Sequence, residues 1–330
     1  MSDAIQKKTY ILIALLLVFM TVSSSVPCLG EEKIVKKRVM KNLYYIPADE
    51  RYINDYKAFG TGRFSRYVKK LNTIFDGMEP HVPVYCYLAE SSRTHQITPE
   101  FNENSKAYEY LVQKLHADGI DHLKFSTYAQ FCDYFYQTDH HWNYKASYQG
   151  YMDIVRMLLG DEEPLLTPDD TVVTDAVFQG SFAKQQKNPV SEEVFTFYRF
   201  DHLPAFSIYV NGKRRASFGN MKAYLNGKYS TDLYTDHYSQ VYGGFPAQIV
   251  YETNREEKKN LLVICNSYAA PLRPLLASHY NKTVFITPSF YRDEFDRNFS
   301  VSAAVEEYDA DQILLLGDVQ LFIDLRDVVK

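Results

Sequence analysis

The last third of the chain sets the tightest limit on the fold. Leu261 to Cys265, Thr283 to Ile286 and Gln312 to Leu316 are short apolar runs, alternating with Leu272 to Tyr280, which has helical spacing, and Val301 to Tyr308. A strand that is apolar at every position has no face for water. It must be covered on both sides, which predicts a parallel sheet between two helical layers. The alternation begins after Pro80. His81 to Leu88 reads as a strand, Ser105 to His116 as a helix through Tyr108, Leu111 and Leu115, and Ile120 to Phe125 as a further strand. Phe131 to Gln137 is aromatic and reads as extended, and Lys145 to Leu159 reads as a helix stopped by Gly160. Between Asp161 and Val250 the pattern turns to short alternating pieces with turn signals at Asn211-Gly212 and Asn226-Gly227, a β-rich insertion. Residues 31–79 are polar with scattered aromatics and read as a leader joining the amino terminus to a domain spanning 80–330.

Composition narrows the function by exclusion. With 36 Lys+Arg against 41 Asp+Glu the chain has no field suited to gathering nucleic acid, and no basic patch interleaved with aromatics stands out. The 28 tyrosines and 21 phenylalanines are read first as core and cross-strand pairs, and second as platforms for sugar rings. Cys28, Cys86, Cys132 and Cys265 have no metal-site spacing. A Cys86–Cys132 bridge requires neighbouring strands, and two buried free thiols are the expectation.

Lys7 and Lys8, the apolar run Tyr10 to Val22 and the serines Ser23 to Ser25 follow the basic, apolar, small-residue order of an export signal. The run is short of the roughly 20 residues of a comfortable span, so a cleaved signal peptide and an uncleaved membrane anchor within residues 1–30 both remain open. Lys33, Lys36, Lys37, Arg38 and Lys41 argue against export, because such clusters tend to stay cytoplasmic. The expected location is extracytoplasmic.

In an open parallel sheet, sites gather beyond the carboxyl ends of the strands. Ser267 stands there, just after Leu261 to Cys265, with Pro271 placed for the first turn of a helix. Backbone N–H groups beside such a serine are the ingredients of an oxyanion hole, although serine in this place is also a common helix cap. A nucleophilic serine needs a base. Thr138-Asp139-His140-His141-Trp142-Asn143 supplies one: on extended backbone Asp139 and His141 face the same side, and a carboxylate beside an imidazole fixes its tautomer. A metal held by Asp139, His140 and His141 would want another ligand, for which Asp236 and His237 show no distinctive spacing. No metal or other cofactor is expected. Ser181, after Gly180, is a rival nucleophile without the strand-to-helix setting.

The string TDHHWN over 138–143 resembles the signature of the bacterial DHHW family, which is similar to the periplasmic alginate O-acetylation proteins. Tyr242-Gly243-Gly244, Phe178-Gln179-Gly180-Ser181-Phe182 and Leu262 to Tyr268 resemble further family segments, in order, over roughly 80–318. The resemblance implies an SGNH-like, flavodoxin-like three-layer α/β fold. It assigns Asp139 as orienter, His141 as general base and then acid, and Ser267 as nucleophile, in an order permuted relative to ordinary SGNH hydrolases. Cys265-Asn266 departs from the Gly-Asp or similar pair that precedes the family's serine. No asparagine block is evident, so Asn266, Gly243 and Gly244 are the candidate oxyanion donors, with Tyr242 beside them for substrate.

The function expected from this resemblance is an extracytoplasmic O-acyltransferase that acetylates a cell-envelope or secreted polysaccharide through an acyl-serine. A membrane-bound O-acyltransferase partner would supply the acyl group. The alternatives are a polysaccharide O-acetyl esterase and a non-catalytic polysaccharide-binding protein on the same scaffold.

Overall fold

The computed structural model describes residues 33–55, 61–325 and 328; the predicted signal or anchor lies outside the described residues. Among the described residues no helix is long and apolar enough to cross a membrane. In chain order, β1 (Lys37–Met40), β2 (Leu43–Ile46) and β3 (Arg51–Asn54) form an antiparallel meander. β4 (Val84–Leu88) and β5 (Gly119–His122) follow, then an antiparallel ribbon of β6 (Asp170–Val177) and β7 (Val194–Arg199). β8 (Ser207–Val210), β9 (Lys213–Arg215), β10 (Gln248–Glu252), β11 (Asn260–Cys265), β12 (Lys282–Ile286) and β13 (Gln312–Gly317) complete the set. Eight strands make one sheet in the order β5-β4-β13-β11-β12-β10-β8-β9. The first five are parallel, and β10, β8 and β9 extend that edge antiparallel.

The unbroken apolar runs have a direct cause in this sheet. Leu262, Ile264, Ile313, Leu315 and Val284 pack on one face with the helices Thr61–Phe75, Lys106–Lys114 and Val301–Tyr308. Val263, Cys265, Leu314, Leu316 and Phe285 pack on the other, with the helices Tyr144–Leu159 and Arg273–Ala277. Successive side chains point to opposite faces, and both faces are dry. β11 lies in the middle of this arrangement, so its carboxyl end is held by neighbours on both sides.

The sequence reading is corrected in three places. Residues 31–79 are not a leader across the described part: Ile46 and Ile53 enter one core layer, and the helix Thr61–Phe75 buries Phe64, Val68, Leu71 and Ile74 in the other. Arg51 of β3 is buried and donates to the carbonyls of Phe135, Tyr136 and Cys132 at 2.7, 2.8 and 3.0 Å. Residues 161–250 are not wholly a β-rich insertion, since β8 and β10 belong to the central sheet and helices Ser181–Gln186, Met221–Leu225 and His237–Tyr242 intervene. The Asn211-Gly212 turn does close the β8–β9 hairpin, with φ of 48° and 74°. Finally, Tyr128–Tyr134 is a helix where an extended run was expected, because Thr127 caps it by accepting from the Gln130 N–H. Cys86 and Cys265 are buried free thiols. Cys132 is disulfide-bonded, so the two-thiol expectation holds only for Cys86.

Candidate active site

Asp139, His141 and Ser267 meet at the carboxyl end of β11. The His141 Nδ1 lies 2.6 Å from Asp139 Oδ1, and its Nε2 lies 2.7 Å from Ser267 Oγ. Asp139 and His141 are buried, while Ser267 is half-buried. The pair does not arise from strand alternation. Residues 137–141 form a chain of bends, and Asp139 Oδ1 also accepts the backbone N–H of His141 at 2.9 Å, so the carboxylate folds its own turn. His140 is not turned away either: its Nδ1 sits 2.9 Å from Ser181 Oγ and 3.5 Å from Asp139 Oδ1.

The serine is presented because its neighbour does the capping. Asn266 is the N-cap of a short 3-10 helix, Ser267–Leu272, and its Oδ1 accepts from the Tyr268 N–H. This leaves the Ser267 hydroxyl for His141. The two segments of the candidate site are strapped together: the Trp142 indole N–H donates to the Tyr268 carbonyl at 3.1 Å, and the Tyr268 hydroxyl donates to the His140 carbonyl at 2.6 Å. The Tyr238 hydroxyl donates to the Ser267 carbonyl at 3.1 Å, and its ring stacks on His141 at 4.0 Å.

The carboxylate is held from its far side by the turn Gly180-Ser181. The Ser181 N–H donates to Asp139 Oδ2 at 2.6 Å, and a Cβ at Gly180 would stand 2.3 Å from that of Asp139. Burial, the largest single influence, raises the Asp139 carboxyl, but His140, His141 and the Ser181 N–H together hold it below the usual carboxylate range. Burial, then His141, push the His140 imidazole below its ordinary range. Ser181 is thus a holder of Asp139 and stands across that carboxylate from Ser267.

The expected oxyanion donors already have partners. The Asn266 amide donates to Asp318 Oδ1 at 2.8 Å, and the N–H groups of Gly243 and Gly244 both donate to the Ser239 carbonyl at 2.8 Å. They are occupied by a side-chain pair and by a helix end. The Ser267 N–H, first in its helix, is the donor whose position suits an oxyanion. Tyr242 is half-buried and lines an apolar cavity of about 320 Å³ with Tyr144, Tyr148, Tyr198, Phe218 and Pro271. That cavity lies behind the serine segment and includes none of the three triad residues.

Asp139, His140 and His141 also bring donor atoms within 4.8 Å of one another, the spacing of a metal cluster. Their lone pairs are engaged, however: Asp139 by His141 and Ser181, and His141 by Asp139 and Ser267. A cation on His141 Nε2 would displace the serine. The sequence reading missed Tyr238, Phe245 and Arg273, and only the nearby Tyr242-Gly243-Gly244 string pointed towards them.

This is an SGNH-like α/β fold carrying a Ser-His-Asp constellation with the acid and base ahead of the serine. At the level of sequence the chain matches no family model and no curated protein. Its fold is similar to that of a DHHW family protein from Eubacterium siraeum, with a TM-score of 0.66 and 15% identity, over 90% of this chain and 99% of that one. It is also similar to PatB1 of Bacillus cereus, with a TM-score of 0.61 and 15% identity, over 88% of this chain and 97% of that one. PatB1 with a sulfonyl adduct gives a TM-score of 0.63 at 14% identity, over 86% and 98%. The resemblance to the DHHW family therefore extends to three dimensions.

Proposed function

We propose that the chain is an extracytoplasmic serine O-acyltransferase that moves an acetyl group onto a hydroxyl of a cell-envelope or secreted polysaccharide. The observation that carries the reading is the continuous Asp139–His141–Ser267 hydrogen-bond chain at the carboxyl end of a central parallel strand. Ser267 Oγ attacks the carbonyl carbon of the acyl donor as its proton passes to His141 Nε2. Asp139 keeps that nitrogen basic by holding Nδ1–H and then balances the imidazolium. Collapse of the tetrahedral intermediate expels the donor's leaving group, which takes the proton from His141. A sugar hydroxyl then gives its proton to His141 and attacks the acyl-serine; the bond to Ser267 Oγ breaks, that oxygen takes the proton back from His141, and the sugar ester leaves.

The sulfonyl adduct described for PatB1 supports this reading by chemistry, since sulfonyl groups are captured by activated nucleophiles, and Ser267 is the group so activated on this chain. Export rests on the amino-terminal sequence alone. A membrane-bound O-acyltransferase that delivers the acyl group is part of the same proposal.

Hydrolysis of p-nitrophenyl acetate by wild type, Ser267→Ala and His141→Ala tests the centre. Wild-type turnover with both variants at background supports it; equal rates in all three remove it and bring the binding-protein reading forward. Adding an oligosaccharide acceptor then separates transfer, which yields acetylated sugar, from esterase action, which yields only acetate.

A further inference from the structure

Arg273 opens the helix Arg273–Ala277, six residues beyond the serine, and is 1% exposed. Among the described residues no carboxylate offsets its charge. A buried guanidinium without a carboxylate is costly to keep. Its contacts are to one turn: Nη1 donates to the Gly244 carbonyl at 2.8 Å and more weakly to that of Tyr242 at 3.4 Å. The guanidinium lies over the Phe218 ring at 5.5 Å, and its Nε has no hydrogen-bond partner among the described residues.

That turn is built to a single shape. Gly243 has a φ of 91°, and a Cβ there would stand 2.5 Å from the Phe218 ring; Gly219 has a φ of 86°, and a Cβ there would stand 2.4 Å from the Val241 carbonyl. Only glycine tolerates either position. The turn ends in Phe245, whose ring lies 6.1 Å from that of His141, and begins in the helix whose Tyr238 stacks on the same imidazole at 4.0 Å.

We propose that Arg273 is a positioning residue of the acyl-transfer centre: by gripping the carbonyls of Tyr242 and Gly244 it fixes the Gly-Gly turn that sets Phe245 and Tyr238 against the His141 ring. This rests on the proposed function. The guanidinium ties the helix that directly follows the serine's 3-10 turn to the walls of the base, so the angle of the imidazole and the place of the serine are linked through one side chain.

The test uses the full chain with Arg273→Met and Arg273→Lys, with competent sites counted by a sulfonyl fluoride. Arg273→Met should lower turnover per competent site by about tenfold while KM changes by less than about twofold, the pattern of a misaimed base. Arg273→Lys, which keeps a donor and the charge, should recover most of it. The second readout is the proton NMR of the His141 ring, assigned by its loss in His141→Gln. In wild type the signals should be shifted by the flanking aromatic rings, and in Arg273→Met they should move towards free histidine. Ring signals that coincide with wild type, with unchanged turnover per site, would overturn the proposal. If the wild type shows no Ser267-dependent turnover, the proposed function fails, and the ring signals still decide whether Arg273 positions His141. Should Arg273→Met not fold, Arg273→Lys carries both readouts, with a smaller displacement expected.

Discussion

Asp139 serves the site with both oxygens, one given to His141 and the other to the Ser181 N–H. Replacing it by asparagine keeps the shape and removes the charge, and Asn can donate where the carboxylate only accepts, turning the imidazole to the wrong tautomer. Asp139→Asn should therefore cut ester turnover on the order of a thousandfold or more while the chain still melts cooperatively. Gly180→Ala should do similar damage from the opposite side, because its methyl group needs the space of the Asp139 Cβ and Cα; equal turnover in that variant would mean that the turn yields. The sign of the pH effect follows from the depressed carboxyl. A carboxylate held below its unfolded value contributes stability that is present above that value and drains away as pH falls. The acid limb of a melting-temperature profile below about pH 5 should thus be flatter in Asp139→Asn than in wild type.

At the scale of elements, the segment Cys132 to Gln137 that leads into the candidate triad is gripped by two side chains, the buried Arg51 and the half-buried Glu193. Arg51 holds its carbonyls, and Glu193 accepts the Gln137 N–H at 2.8 Å. Burial raises the Glu193 carboxyl to about 7, against the pull of Arg51 and of that N–H. An acid whose folded value is raised holds its proton more tightly in the native state, so stability falls as pH rises from about 4.5 towards 7. Glu193→Gln keeps an acceptor for Gln137 and removes the titration. Its urea midpoints at pH 5 and pH 8 should lie closer together than those of wild type, and an equal gap would locate the pH dependence elsewhere. This element also shows where sequence reading fell short. Alternation on a strand pointed to Asp139 and His141 as partners, and the structure brings them together, but through a side-chain-closed turn that a period of two does not describe. The neighbouring helix was read as extended because the aromatics Phe131, Phe135 and Tyr136 resemble strand residues, whereas the Thr127 cap is a local cue that outweighs them.

For the whole molecule, the parallel sheet was legible because Leu262, Val263, Ile264, Leu314 and Leu315 leave no face for water. The meander was not, because Leu43, Ile46, Tyr52 and Ile53 are sparse in a basic stretch, and their purpose depends on a wall contributed by residues far along the chain. Ile46 joins a layer with Phe131 and Phe135, and the Tyr52 N–H donates to the Gln137 carbonyl at 2.7 Å. A chain beginning at Thr61 keeps Asp139, His141 and Ser267 but loses this support. Its ester turnover should fall towards background and its melting temperature should drop; full activity would restore the reading of residues 31–79 as a mere leader.

The order of the triad along the chain has a temporal meaning. Base and nucleophile are 126 residues apart, with the base first, and β11, which carries the serine, is lined on one side by β13. A chain threading outward from its amino terminus presents acid and base long before any nucleophile, and the strand that steadies the nucleophile arrives after all three. Until Gly317 is out, the candidate site is a set of parts without its frame, so under the proposed function the half-made chain has no means of taking an acyl group.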